Sequence, residues 1–246
     1  MSTDWGPRGL ETTPPPVNKR LLVMTAFSLV TVIGVPWCTE NVGSIDLMTG
    51  NRSCPAAPAE ITMWAGNYHT RRVEEVVALQ KWIARHPGRI NKQYGAFCDT
   101  PLHLAAKFGR EDLAEPLIAA GADLEARNEL NVRPLHVAAT HGEPAVAKLL
   151  LTRGADINAR GPSGKTPLHD AACGLGTQSR IQGRIEVARL LLAAGADVNA
   201  RQPGSGFTPL RYAMAYESRN TNMAALLFAY GADASGAEER PPTRAR

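Results

Sequence analysis

The longest unbroken apolar run in the chain lies at residues 21–37, which read LLVMTAFSLVTVIGVPW. No charged residue interrupts the run, and Lys19 and Arg20 stand directly before it. An α-helix of this length spans about 26 Å, close to the roughly 30 Å thickness of a bilayer's hydrocarbon core. The run predicts a membrane-spanning signal anchor at residues 21–38. The basic flank predicts a cytoplasmic N-terminal tail at residues 1–20, with the rest of the chain on the periplasmic or extracytoplasmic side.

Two other interpretations of the apolar run stay open. A cleaved signal peptide would make the protein secreted, but such peptides have a short polar start and a small-x-small cleavage site. Here the polar start extends to Arg20, and Val42-Gly43-Ser44 is a poor cleavage site. The third interpretation is a helix buried in the folded domain.

The pattern changes after the apolar run. Ile45-Asp46-Leu47-Met48 alternates like a strand and precedes a turn signal, so a possible hairpin is predicted inside a small linker module at residues 39–69. Residues 70–86 then carry apolar side chains at helical spacing opposite charged ones, and Pro87-Gly88 ends that pattern. Residues 70–94 therefore predict an N-terminal capping helix or a degenerate repeat.

The rest of the chain repeats itself. Residues 100–106 (TPLHLAA) recur at 133–139 (RPLHVAA) and at 166–172 (TPLHDAA), each 33 positions further on, and more weakly at 208–214 (TPLRYAM). A second phrase, Gly-Ala-Asp, follows each copy. Self-similarity with a period in this range is typical of solenoid proteins, in which each unit stacks on its neighbours.

The residue types of the repeat explain its structure. Thr is a good helix N-cap, Pro suits the first helical position, and paired Ala residues allow close packing. Glycine then ends each helix. Three departures stand out: Arg133 replaces a Thr cap, Asp170 replaces an apolar residue, and Pro116 is expected to bend its helix. The residues assigned to this structural motif are Thr100, Pro101, His103, Pro134, His136, Thr166, Pro167, His169, Thr208, Pro209, Gly121, Gly154, Gly195 and Gly231.

In these residues the chain resembles ankyrin repeats. The resemblance implies an all-α ankyrin-repeat solenoid, in which helix-turn-helix units are stacked and joined by short β-hairpin loops. The repeats are expected at residues 95–127, 128–160, 161–201 and 202–233, and the third contains an insertion, Leu175–Gln182. Residues 234–246 lack large apolar side chains and are expected to be disordered.

Composition and motifs exclude several functions. The net charge is +4 and the pI about 9.0, but the sequence has no long Lys/Arg run, so nucleic-acid binding is not predicted. The three repeat histidines recur one repeat apart, about 8–10 Å in a helix stack, which is too far to share one metal ion. The resemblance implies that they bond to neighbouring backbone. Neither a cofactor nor a metal is predicted, and an enzyme using residues 39–69 is a distant alternative.

The four cysteines fall into two pairs. Cys38 and Cys54 lie in one Pro/Gly/Ser-rich stretch, where export would permit a disulfide between them. Two free thiols are the alternative. Cys98 and Cys173 belong to the first and third repeats, so a bond between those two is not expected.

The resemblance places a protein partner on the concave face, which is formed by hairpin tips and first helices. Aromatic side chains there are candidates for interface hot spots, although Phe97 and Phe207 could merely cover hairpin backbone. The insertion, which is expected to form a loop between the two helices of the third repeat, is a second candidate contact. The leading hypothesis is a membrane-anchored, non-catalytic interaction module, and the alternative is a dedicated inhibitor, immunity factor or chaperone of one enzyme. The predicted contact residues are Phe97, Asp99, Lys107, Phe108, Glu129, Leu130, Val132, Thr140, His141, Lys165, Phe207 and Tyr216.

Overall fold

A computed structural model describes the repeat region. It describes residues 54, 55, 58, 73–173, 177–215 and 221–234. All of these lie in Cys38–Arg246, the second of the two units into which the chain divides. The predicted anchor at 21–38, most of the linker module and the tail after residue 234 lie outside the described residues. Within the described ranges no helix combines the length and apolar character needed to cross a membrane.

The described residues form nine α-helices and two short 3₁₀ turns, at Pro87–Arg89 and Pro162–Gly164. The α-helices are α1 (Val73–Arg85), α2 (Pro101–Lys107), α3 (Glu111–Ala119), α4 (Pro134–His141), α5 (Pro144–Thr152), α6 (Pro167–Ala172), α7 (Gln178–Ala193), α8 (Pro209–Met214) and α9 (Thr221–Ala229).

The helices pack in two rows. The first row runs α2, α4, α6 and α8, and the second runs α1, α3, α5, α7 and α9; each helix contacts the next one in its row. The repeated leucine is buried in every copy, and each such side chain contributes roughly 1.5–3 kcal/mol. The copies therefore lie side by side, as the repeat pattern predicts. The four leucines are Leu102, Leu135, Leu168 and Leu210.

Hydrogen bonds from backbone amides to side-chain oxygens also join the repeats along one edge. The backbone amide of Asp156 donates to the Glu125 carboxylate of the preceding repeat at 2.8 Å. The amide of Asp197 donates to the Asn158 side chain at 3.0 Å in the same way. Asp123 bonds to Asn91 at 2.8 Å, which places the degenerate N-terminal repeat in the same register as the others.

The loops between repeats are hairpin-shaped but lack regular strands. Among the described residues only an isolated bridge joins Tyr94 to Asp99. Later loops are closed by a few backbone hydrogen bonds, such as Asn128 N–H to the Val132 carbonyl at 3.0 Å. Asn131 takes a φ of 60° there, in the left-handed region that this turn requires. The resemblance was thus right about the turns, whereas the expected β-pairing is confined to one bridge in this part of the chain.

Two departures from the repeat pattern have different outcomes. Helix α3 runs through Pro116 to Ala119, and the Pro116 carbonyl still accepts a bond from Ala120 at 3.0 Å. The insertion is not the loop that was predicted, because Gln178 onward forms the start of α7. Thr177 caps that helix, since its hydroxyl accepts from the Arg180 amide at 3.5 Å.

The extended α7 lies across the turn that ends α4. A Cβ built on Gly183 would stand 2.1 Å from the Gly142 carbonyl oxygen, so the two backbones are in direct contact. Arg184, buried on α7, donates from Nε to the Thr140 carbonyl at 2.6 Å and from Nη1 to the Cys173 carbonyl at 2.8 Å. These carbonyls lie at or beside the ends of α4 and α6, where a cation is favourable. The extended α7 therefore fastens the third repeat to the second.

The predicted Cys38–Cys54 disulfide is wrong. Cys54 is bonded to Cys98, with a Cα–Cα distance of 5.4 Å. Cys98 has a φ of 53° in the first hairpin loop, so its side chain leaves a turn and not a helix. Cys173 is disulfide-bonded as well, and none of the cysteines that the structure describes is free. Cys38 lies outside the described residues.

Candidate protein-binding face

The inner face is the surface formed by the first row of helices and the adjoining loops. We define the loops as residues 94–99, 127–133, 160–166 and 201–208. The residues that were predicted to contact a partner lie on this surface or directly beside it.

The repeated histidines are buried, and each one hydrogen-bonds to a backbone carbonyl in the next loop. His103 Nε2 donates to the Val132 carbonyl at 2.9 Å, while the Thr100 hydroxyl lies 2.7 Å from His103 Nδ1. His169 repeats the arrangement with the Phe207 carbonyl at 3.0 Å. Burial lowers the pKa of His169 to about 4, so this side chain is neutral at neutral pH. In His103 and His169 both ring nitrogens therefore take part in hydrogen bonds within the stack.

The second repeat lacks one of these bonds. His136 keeps its Nε2 bond to the Lys165 carbonyl at 3.2 Å. Its buried Nδ1 has no partner among the described residues, because Arg133 stands where the other copies have Thr. Arg133 instead reaches the half-exposed Glu125 carboxylate at 3.0 Å.

We expect Arg133→Thr to stabilise the protein by about 1 kcal/mol, because it supplies both a helix N-cap and a donor for His136 Nδ1. The lost ion pair is half-exposed and contributes less. Urea unfolding of the variant and of the reverse change in the third repeat, Thr166→Arg, measures the effect. A stabilisation by both changes, or by neither, would contradict the assignment.

The predicted contact residues divide by exposure. Glu129 is exposed, and Leu130 keeps 39% of its surface exposed at the tip of the second loop. Tyr216 lies outside the described residues. The other nine are half-buried, and five of them are Phe97, Lys107, Phe108, His141 and Lys165.

The remaining four are engaged in the fold. Val132 and Phe207 pack against the core and lend their carbonyls to the histidines, and Asp99 accepts from the Asn128 side chain at 2.8 Å. The Thr140 carbonyl is taken by Arg184. These four residues therefore also support the fold, and their contact with a partner stays a prediction.

Charged groups cluster where α2, α4 and α7 meet. Burial above all, and the cations of Lys107, Arg180 and Arg184 to a smaller extent, lower the pKa of His141 to about 4. Burial raises the pKa of Glu143, which Arg180 opposes. The neutral His141 ring bonds to the Val137 carbonyl at 3.0 Å, so the net charge of this corner is positive.

The sequence missed an aromatic and cationic cluster between the third and fourth repeats. The Lys165 ammonium lies 4.7 Å from the centre of the Tyr212 ring, and the Arg211 guanidinium lies 5.4 Å from that of Phe207. The two rings meet edge to face at 6.1 Å. We call Lys165, Phe207, Arg211 and Tyr212 the aromatic–cation cluster. The sequence does contain a sign of this cluster, because Arg211 and Tyr212 stand where the first two copies have a histidine followed by an apolar residue.

Two kinds of catalytic site, a metal centre and a Cys–His pair, can be checked in the residues that the structure describes. No group of three or more His, Cys, Asp or Glu side chains in the described part of the chain could hold a metal ion. Cys173 lies four residues after His169, just past the end of α6, and is disulfide-bonded, so it offers no free thiol to pair with that histidine.

The fold and its inner face define a repeat solenoid, a class in which stacked units present a surface to another macromolecule. A family model described as ankyrin repeats in three copies matches residues 68–161 and 102–202, and a second, described as ankyrin repeats in many copies, matches residues 178–228. The chain therefore belongs to the ankyrin repeat family. No curated protein matches it. Ankyrin repeats indicate a protein–protein interaction module.

Proposed function

We propose that this protein is a non-catalytic binding module whose inner face holds one surface of a protein partner. One observation on that face carries the proposal. Backbone groups and histidines hold the repeats together, whereas the side chains of Leu130, Phe97 and Phe108 stay at least partly exposed. Interface hot spots favour aromatic side chains in a central patch.

We further propose that the repeats work outside the cytoplasm, anchored by residues 21–38. The disulfide bonding of Cys54, Cys98 and Cys173 supports this location, because such bonds persist in oxidising compartments. Secretion after cleavage of the apolar segment would satisfy the same observation. A reporter fused after residue 246 separates these locations, since an anchored, exported chain gives extracytoplasmic activity in the membrane fraction. Cytoplasmic activity of the reporter would end the export proposal.

Photocrosslinking in the native membrane tests the binding face. A photoreactive phenylalanine analogue replaces Phe97 or Phe108, and a matched control replaces Phe228, which is 47% exposed on α9 in the second row. We expect adducts from the inner face and not from Phe228. Equal labelling from all three positions would refute the proposed face. One stoichiometric enzyme among the adducts would favour the dedicated regulator over a scaffold.

A further inference from the structure

Asp170 is a departure from the repeat that the proposed function leaves unexplained. The same position holds Leu104, Val137 and Tyr212 in the other copies, so an apolar or aromatic side chain suits the packing there. Asp170 is half-buried in the first turn of α6, in the row of helices that forms the inner face. A charged residue at a position where the repeat favours an apolar one is a candidate for function.

The Asp170 carboxylate lacks a partner within the fold. Across the described ranges neither a hydrogen bond nor an ion pair reaches it. Burial raises the pKa of this carboxyl, and His136, Lys165 and Arg184 oppose the rise without overcoming it. A raised pKa means that folding disfavours the ionised form, so the charge at this position lowers the stability of the stack. Proteins retain such unfavourable groups where their function depends on them.

Lys165 lies close to Asp170, two residues before α6 begins. Its ammonium stands 4.7 Å from the centre of the Tyr212 ring, whose face attracts a cation but carries no net charge. Lys165 forms no ion pair in the part of the chain that the structure describes, with Asp170 or with any other acid. A carboxylate that only accepts hydrogen bonds and an ammonium that only donates them are therefore near neighbours on the inner face.

This pair of groups selects the chemistry that a partner can place against it. An acidic side chain would meet the like charge of Asp170, and a basic one would meet that of Lys165. A neutral carboxamide avoids both penalties, and its separate N–H and C=O groups can reach two residues that do not pair with each other. A hydroxyl has one oxygen for both bonds, and the N–H and C=O of a trans backbone peptide point in opposite directions.

We propose that Asp170 and Lys165 together bind the carboxamide of an Asn or Gln side chain on the protein partner. The amide N–H donates to the Asp170 carboxylate, and the amide oxygen accepts from the Lys165 ammonium. The proposal rests on the proposed function and names the partner chemistry at its inner face.

The test is selection from a phage-displayed random-peptide library on the full-length chain in detergent. We expect the enriched peptides to share an Asn or Gln. Asp170→Leu restores the residue type of the first repeat, so it should raise the urea concentration at the midpoint of unfolding. The same variant should weaken binding of the enriched peptides by about tenfold or more, because a hydrogen bond to a charged group is lost.

Two further variants accompany this measurement. Lys165→Met keeps the apolar stem of the side chain but removes its donor, and it should also weaken binding by about tenfold. The matched control Glu111→Leu removes an exposed acid from α3 in the second row and should leave binding unchanged.

Replacing the Asn or Gln of an enriched peptide by Leu completes a double-mutant cycle. The replacement should weaken binding to the wild type by about tenfold or more and have little further effect on binding to Asp170→Leu, because that bond is already absent. A similar loss on both proteins would overturn the inference, since the amide would then contact some other residue.

Other outcomes separate the inference from the proposed function. Enrichment of acidic or basic peptides without Asn or Gln, or full affinity in Asp170→Leu or Lys165→Met, would overturn the inference and leave the binding module standing. Equal weakening by Glu111→Leu would show an effect of net charge alone, which also overturns the inference. Recovery of no peptide from the wild type would count against both.

Discussion

Removing the Cys54–Cys98 disulfide is expected to lower the free energy of unfolding by about 4 kcal/mol. The bond joins residues separated by 44 positions, and closing a loop of that length restricts the unfolded chain by this amount in the chain-entropy model. The loss is large beside the 5–15 kcal/mol that stabilises a typical domain. The first loop and α1 should therefore open before the rest of the stack.

The variant for this measurement is Cys54→Ser/Cys98→Asn, followed by urea unfolding of the oxidised protein. Asn suits position 98 because Asn131 adopts the same left-handed conformation in the next repeat. Substitution is better than a reductant, which would also attack the disulfide at Cys173. Cys54→Ser with Cys98 alkylated serves as a second form of the broken bond. A loss smaller than about 1 kcal/mol in both would mean that the cross-link does not stabilise the first repeat.

Gly183→Ala is expected to destabilise the protein by several kcal/mol, although alanine normally stabilises a helix by about 0.5–1 kcal/mol relative to glycine. The added Cβ would meet the Gly142 carbonyl oxygen, a backbone atom that cannot swing away. The start of α7 must then lift off α4, and Arg184 must lose its bond to the Thr140 carbonyl.

Chemical denaturation of Gly183→Ala beside Gln182→Ala decides this prediction. Gln182 is exposed one position earlier on the same helix, so its alanine variant reports helix propensity alone. We expect the Gln182 variant to match or slightly exceed the wild type. If both variants behaved alike, the close contact between α7 and the α4 turn would be disproved.

The helix starts and the stacking could be predicted from the sequence because both depend on local chemistry repeated at a fixed period. Thr100, Pro101 and Leu102 determine a cap, a first turn and a buried position without help from distant residues. The same logic identified Arg133 as a departure but not its consequence, because the lost Thr hydroxyl matters only where packing buries the His136 side chain.

The disulfide and the insertion were wrong for separate reasons. Cys38 and Cys54 were paired because they are near in sequence, yet Cys98 shares the turn position that Asn131 occupies one repeat later, which marks it as a surface turn residue. The insertion was taken for a loop because the cap at Thr177 was overlooked.

The substitutions at Arg211 and Tyr212 are visible in the sequence, but the contact between Lys165 and Tyr212 could not be derived from it, because the two meet only through the packing of α6 and α8. The engaged roles of Val132 and Phe207 escaped notice for a related reason. Their contribution is a backbone carbonyl, which every residue type carries, so their side chains gave no indication of it.

The seating of Gly183 on Gly142 has a consequence for how this array can evolve. Solenoids commonly grow or shrink by duplication or loss of whole units, since each junction resembles the next. An extra unit copied between the second and third repeats would carry α7 away from the glycine and the Thr140 carbonyl that it needs. That junction therefore accepts neither insertion nor deletion of a repeat, so changes in array length are confined to the units on either side of it.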